Sequence, residues 1–174
     1  RLLKRKGYIE LIDAARMLKE KQQNFHLQIA GDGADADFIH SYAAALVQDG
    51  TIEFLGTRID VPQLLRDCDC FIMASHYEGQ GGALVEAMLS SKPIIASDIP
   101  VFREQVVHTI SARLFELKNA KALCTQMEWM MENKEAALKL GIAAHQVAVE
   151  RFDIQKIAVA YEEFYTTILK EQHS

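Results

Sequence analysis

Glu78 and Glu86 bracket a glycine-rich stretch, Glu78-Gly79-Gln80-Gly81-Gly82-Ala83-Leu84-Val85-Glu86, that follows directly on an apolar, strand-like run over residues 70–75. One carboxylate then falls on a loop at a strand's C-terminal end and the other about two turns into the helix that follows. Open parallel sheets bind ligands at this edge, because strand ends and helix N-termini converge there. Carboxylates only accept hydrogen bonds, and glycines let backbone N–H groups come close to a ligand. Two acceptors flanking approachable backbone suit a ligand rich in hydroxyls and bearing phosphate. A nucleotide sugar fits that description.

Other residues invite chemistry less strongly. Arg1, Lys4, Arg5 and Lys6 are either a solvated basic cluster or partners for a phosphate. Gly31-Asp32-Gly33 follows a strand-like run and has part of a dinucleotide fingerprint, but Ala36 stands where the third glycine belongs and Glu53 lies inside a strand. A nicotinamide-dependent oxidoreductase would rest on that pair of glycines alone. Cys68, Cys70 and Cys124 are odd in number, and the first two point to opposite faces of an extended segment. They support neither a disulfide framework nor a zinc site, and read as small core residues in a reducing cytoplasm. His76 and Tyr77 precede the glycine stretch, where a lone histidine is read as a packed or solvated ring.

The elements that must position these residues alternate in period. Tyr8, Leu11, Ile12, Ala15 and Leu18 recur at helical spacing, followed by a strand at 25–30. A helix over 36–47 stops at Asp49-Gly50, a suitable C-terminal cap. Strands at 51–55, 70–74, 93–97 and 113–117 are separated by helices at 61–66, 83–90 and 101–107. Short apolar strands alternating with helices predict a parallel sheet covered on both faces, a Rossmann-like α/β fold. Three helices close the chain at 119–133, 135–149 and 154–169; in the last, Ile154, Ile157, Ala158, Tyr161, Phe164, Tyr165 and Ile168 form one apolar stripe.

The 174 residues, 49% hydrophobic, suffice for a single domain over 1–174 with a sizeable core. A net charge of −5 gives no reason to expect a nucleic-acid partner. No apolar run approaches the roughly 20 residues that cross a bilayer, and no signal peptide is visible. The sequence opens on Arg1 rather than Met, which predicts a piece of a longer protein.

The segment 78–93 resembles the signature of the retaining glycosyltransferases of the glycogen-synthase-like type, family four, the glycosyl transferases group 1. Their pattern is Glu-Gly, a glycine-bearing loop, a leucine, Glu-Ala-Met, then Pro-Ile-Ile-Ala-Ser-Asp. This chain has Glu78-Gly79, Leu84, Glu86-Ala87-Met88 and the hexapeptide at 93–98. Arg1, Lys6-Gly7, Ile29-Ala30-Gly31-Asp32-Gly33, Phe54-Leu55-Gly56 and Phe152 are similar to further landmarks of the family, in register.

The resemblance implies the C-terminal, donor-binding half of a two-domain GT-B enzyme that moves a sugar from a nucleoside-diphosphate sugar, most simply UDP-linked, to a glycan, lipid or other acceptor. The acceptor-binding N-terminal domain would be a partner in the same chain, the final helix would cross back to it, and this half alone would be inactive. It implies catalytic roles for Glu78, Lys6 and Arg1, with the two cations meeting the leaving diphosphate and no metal or other cofactor required. Glu78 would accept from the sugar and Glu86 from the ribose. Gly79, Gln80, Gly81, Gly82, Ala83 and Leu84 would present the loop and helix start to the donor; Gly31, Asp32, Gly33 and Arg58 would be further donor contacts. The enzyme would work in the cytoplasm, with a place at the inner face of the membrane. A non-catalytic nucleotide-sugar-binding module of the same fold is the alternative. The chain departs from the family at Gln80, usually Phe or Leu, at Ser91, usually Gly, and over 108–112, where Asp/Asn-Gly is usual. Glu104 matches a family Pro-Glu position and is expected at a helix start or in an interdomain contact.

Overall fold

The structure, a computed structural model, describes residues 1–171; residues 172–174 of the expected domain lie outside it. A single 3₁₀ turn, Lys4–Lys6, leads into α1, Tyr8–Glu20, and strand β1, Leu27–Ala30. Helix α2, Ala36–Gln48, returns the chain to β2, Ile52–Gly56, and α3, Val61–Asp67, to β3, Phe71–Met73. Then follow α4, Gly82–Leu89, β4, Ile94–Ser97, α5, Pro100–Arg103, and β5, Arg113–Phe115. Helices α6, Ala120–Glu132, α7, Lys134–Arg151, and α8, Ile154–Glu171, complete the described chain.

Every strand pairing is parallel, as expected of strands joined by helices. The ladder is divided, however: β1 pairs with β2, and β3, β4 and β5 form a second set in that order, with no ladder between β1 and β3 among the described residues. The division is bridged by side chains, because Ile29 of β1, Ile72 of β3 and Ile95 of β4 join one apolar cluster with α1, α2 and α6.

β4 shows why the fold has two layers of helices. Ile94, Ile95, Ala96 and Ser97 are all buried. Ile95 faces the cluster of α1 and α6, while its neighbours Ile94 and Ala96 face a second cluster built from α3, α4, α5 and α7. A strand buried on both faces must read as a continuous apolar run, as Pro-Ile-Ile-Ala does. Burying each isoleucine contributes about 1.5–3 kcal/mol.

Two expectations need correction. The helix foreseen at 101–107 stops at Arg103, with Glu104 at its C-terminal cap rather than at a helix start. The chain instead turns over 104–112, where buried Ser111 accepts from the Val107 N–H at 2.9 Å, so that β5 can lie beside β4. Cys68, at the end of α3, is half-buried rather than in the core, and Cys70 is half-buried against the core's edge; Cys124 is buried as expected. The apolar stripe of α8 is present and turned outward, with Ile154, Tyr161, Phe164 and Tyr165 exposed. Among the described residues, no helix is long and apolar enough to cross a membrane.

Candidate functional site

The C-terminal ends of β1, β2 and β3 release the loops that carry the predicted residues: Gly31-Asp32-Gly33 after β1, Arg58 after β2, and the segment Ser75 to Gly82 after β3. Residues 1–7 run across this edge and tie the loops together. The Leu2 N–H donates to the Asp32 carbonyl at 3.0 Å, the Asp35 N–H to the Leu2 carbonyl at 3.2 Å, and the His76 N–H to the Arg5 carbonyl at 2.8 Å. The Lys4 N–H donates to the Asp35 carboxylate at 2.9 Å, and its ammonium lies 4.3 Å above the Phe38 ring. The backbone of the basic segment is therefore built into the edge, while the side chains of Arg1, Lys4 and Arg5 remain exposed to solvent.

Gly7 makes the closest approach. Its φ is 71°, and a Cβ there would lie 1.9 Å from the Ala74 carbonyl oxygen. Only glycine accepts both that backbone angle and that neighbour. The approach seats Lys6 beside the loop after β3, where its ammonium donates to Glu78 Oε1 at 2.5 Å. The Ser75 hydroxyl donates to the same oxygen at 2.7 Å. Both bonds land on Oε1, so Oε2 carries no protein hydrogen bond among the described residues. The pair is largely out of water, with side chains 18% and 10% exposed for Lys6 and Glu78. Burial, and after it the charge of Glu78, push the Tyr8 hydroxyl above its ordinary value.

The glycine loop turns directly into α4. Gly81 is the N-terminal cap with φ 69°, and a Cβ on it would meet the Phe102 ring at 2.8 Å. The amide N–H groups of Gly79, Gly81 and Gly82 have no hydrogen bond to protein among the described residues. Gln80, Gly82 and Ala83 are exposed while Leu84 is buried under α4, a core role rather than a surface one. Glu86 sits exposed on α4 with its carboxylate unpaired among the described residues. Such an open edge of N–H donors, a cation and two carboxylates can bind a ligand that has both anionic and hydroxyl groups.

The other predicted residues are placed less decisively. Arg1 is exposed, with its main chain against Gly31. The Gly31 N–H donates to the Gly56 carbonyl at 2.7 Å and Gly33 lies against the Leu2 carbonyl, so both glycines have structural reasons that need no ligand. Arg58 forks onto Asp60 at 2.8 and 2.6 Å on the exposed surface, and that hydrogen-bonded pair holds the Asp60 carboxyl below its ordinary value. Asp98 of the hexapeptide is held the same way by Arg103. A cleft of about 620 Å³ at the ends of β4 and β5, lined by Asp98, Arg103, His108 and Phe115 among others, contains none of the predicted site residues.

Three participants escaped the sequence reading. Glu10 on α1 holds the His76 ring at 2.8 Å, Ser75 supports Glu78, and buried Gln105 donates to the Gln80 carbonyl. A polar residue closing an apolar run was the available signal for Ser75; Gln105, following Arg103 and Glu104, offered none. Among the described residues, no group of three or more His, Cys, Asp or Glu could hold a metal ion.

Fold and edge together define a parallel α/β protein whose polar groups converge at the C-terminal ends of its strands. Residues 1–147 match the family described as glycosyl transferases group 1, and the chain belongs to that family. It is 31% identical to the N,N'-diacetylbacillosaminyl-diphospho-undecaprenol alpha-1,3-N-acetylgalactosaminyltransferase of Campylobacter jejuni, with 98% of this chain and 44% of that protein covered. Among solved structures it resembles Anabaena Alr3699/HepE in complex with UDP and glucose, at TM-score 0.85 and 27% identity over 96% of this chain and 46% of that one. It also resembles the C-terminal domain of a glycosyl transferase group 1 family protein (LpcC) from Francisella tularensis, at TM-score 0.80 and 25% identity, covering 88% of this chain and 83% of that domain. The chain thus spans just under half the length of the Campylobacter and Anabaena proteins.

Proposed function

We propose that residues 1–174 form the donor-binding domain of a retaining glycosyltransferase, with UDP-sugar as donor and a second domain of the same protein supplying the acceptor side. The observation that carries this reading is the junction of Lys6 with Glu78 beside the open N–H groups of the glycine loop. When the bond between sugar C1 and the diphosphate breaks, negative charge grows on the phosphate, and fixed donors stabilise it most effectively. Lys6, held by Glu78, supplies a compact point charge and Arg1 a planar fork for two oxygens. Glu78 keeps Oε2 for sugar hydroxyls, and Glu86 meets the ribose. The complex of the Anabaena protein with UDP and glucose supports the donor class. The lengths of the relatives support a second domain, and the outward apolar stripe of α8 is suited to pack against it. The diphospho-undecaprenol in the Campylobacter relative's name supports a lipid-linked acceptor for the whole protein.

Calorimetric titration with UDP and with UDP-glucose tests the assignment. Glu86→Ala should weaken both ligands, because the ribose is common to them. Glu78→Ala should weaken only the sugar-bearing one, by about 1.5–3 kcal/mol, the worth of a hydrogen bond to a charged group. Equal losses for both ligands in both variants would remove these roles, and a wild-type chain that binds neither would remove the reading itself.

A further inference from the structure

Gln105 is 6% exposed, in the turn that follows α5. Its Nε2 donates to the Gln80 carbonyl, while its Oε1 is buried with no hydrogen-bond partner among the described residues. That oxygen stands 3.7 Å from the point a Gly81 Cβ would occupy, and Phe102 of α5 closes on the same point. α5 and its following turn are thus the back wall of the glycine loop. A buried amide with one end unsatisfied is a costly way to fill a core position that an apolar side chain would fill without penalty. The donated bond to Gln80 is what such a residue supplies and a leucine could not.

The consequence follows from peptide geometry. The Gln80–Gly81 peptide is trans and planar, so its carbonyl and its N–H point in opposite directions. Drawing the Gln80 carbonyl onto a buried donor turns the N–H of Gly81, itself a buried residue, to the opposite side, where it has no protein partner among the described residues. Without that bond the peptide has an alternative, because glycine takes either sign of φ and the exposed Gln80 could offer its carbonyl to water instead. We propose that Gln105 is a positioning residue for the diphosphate: it fixes the Gln80–Gly81 peptide so that the Gly81 N–H is a standing donor to phosphate. This rests on the donor reading above.

Gln105→Leu keeps the buried volume and removes the donor, and Gln105→Met does the same with an unbranched chain. UDP affinity is measured by calorimetry, affinity for uridine, which has no phosphate, by NMR titration, and stability by thermal melting. Both variants should melt at or above the wild-type temperature, since an unsatisfied buried oxygen is removed. They should bind UDP about ten- to a hundredfold more weakly, the worth of one hydrogen bond to a charged group, with uridine unchanged within about threefold. The UDP-induced shift of the Gly81 amide should shrink with them. UDP affinity within threefold of wild type in both variants, or parallel losses of UDP and uridine, overturns the inference while the donor reading stands. A wild-type chain without affinity for UDP removes both.

Discussion

Replacing Lys6 with Met strands Glu78. Its carboxylate is 10% exposed and receives two donors on one oxygen, the Lys6 ammonium at 2.5 Å and the Ser75 hydroxyl at 2.7 Å. Breaking a buried ion pair by removing one partner costs about 3–5 kcal/mol, because a charge is left without compensation. Ser75 remains in place here and both side chains keep some contact with water, so Lys6→Met should cost about 2–3 kcal/mol, less than the fully buried case. Glu78→Gln keeps an acceptor for both donors and should cost about 1–2 kcal/mol. The double variant leaves no uncompensated charge, so it should be no less stable than Lys6→Met alone, a coupling of at least about 1 kcal/mol. Urea unfolding of the wild type, the two single variants and the double variant gives the four stabilities. For a chain of this size each kcal/mol also moves the melting temperature by about 2–4 °C, which provides a second reading. Additivity within about 0.5 kcal/mol would mean that the two groups do not interact, and the geometry assigned to the site would be wrong.

Thr109 has φ 65°, a left-handed conformation that a branched Cβ strains. Thr109→Gly should raise stability by about 0.5–1 kcal/mol after the entropy of the unfolded chain is allowed for, and a melting temperature at or below wild type would refute the strain. His108 Nδ1 accepts from the Leu114 N–H at 2.8 Å, and burial, followed by the charge of Arg113, holds this ring below its ordinary value of 6.5. The unfolded chain therefore takes up a proton before the folded one as pH falls below that value, and stability conferred by the neutral ring at higher pH is lost down to the lower folded value. Thermal melts between about pH 7.5 and pH 5 should show a shallower acid loss for His108→Gln than for wild type, and identical slopes would exclude the linkage.

What was legible in the sequence was mostly local. The alternation of short apolar runs with helical stripes located the five strands and eight α-helices of the described residues, though not the end of α5, because burial on one face imposes a period on neighbouring residues. The alternation of short apolar strands with helices pointed to a parallel sheet covered on both faces, and the spacing of Glu78, Gly79, Leu84 and Glu86 pointed to the loop and to its family. The division of the ladder between β1 and β3 has no local signature, since it depends on how two sets of strands sit beneath α1. The length of α5 was decided by the need to bring β5 alongside β4. The same is true of the site's polar contacts. Lys6 and Glu78 are 72 positions apart, and their pairing depends on the bare face of Gly7 resting on Ala74. Glu10 with His76 and Gln105 with Gln80 are likewise joined only by the docking of separate elements. A hydrogen bond between distant residues leaves no periodicity in either segment, so only the assembled tertiary structure could decide which polar groups meet.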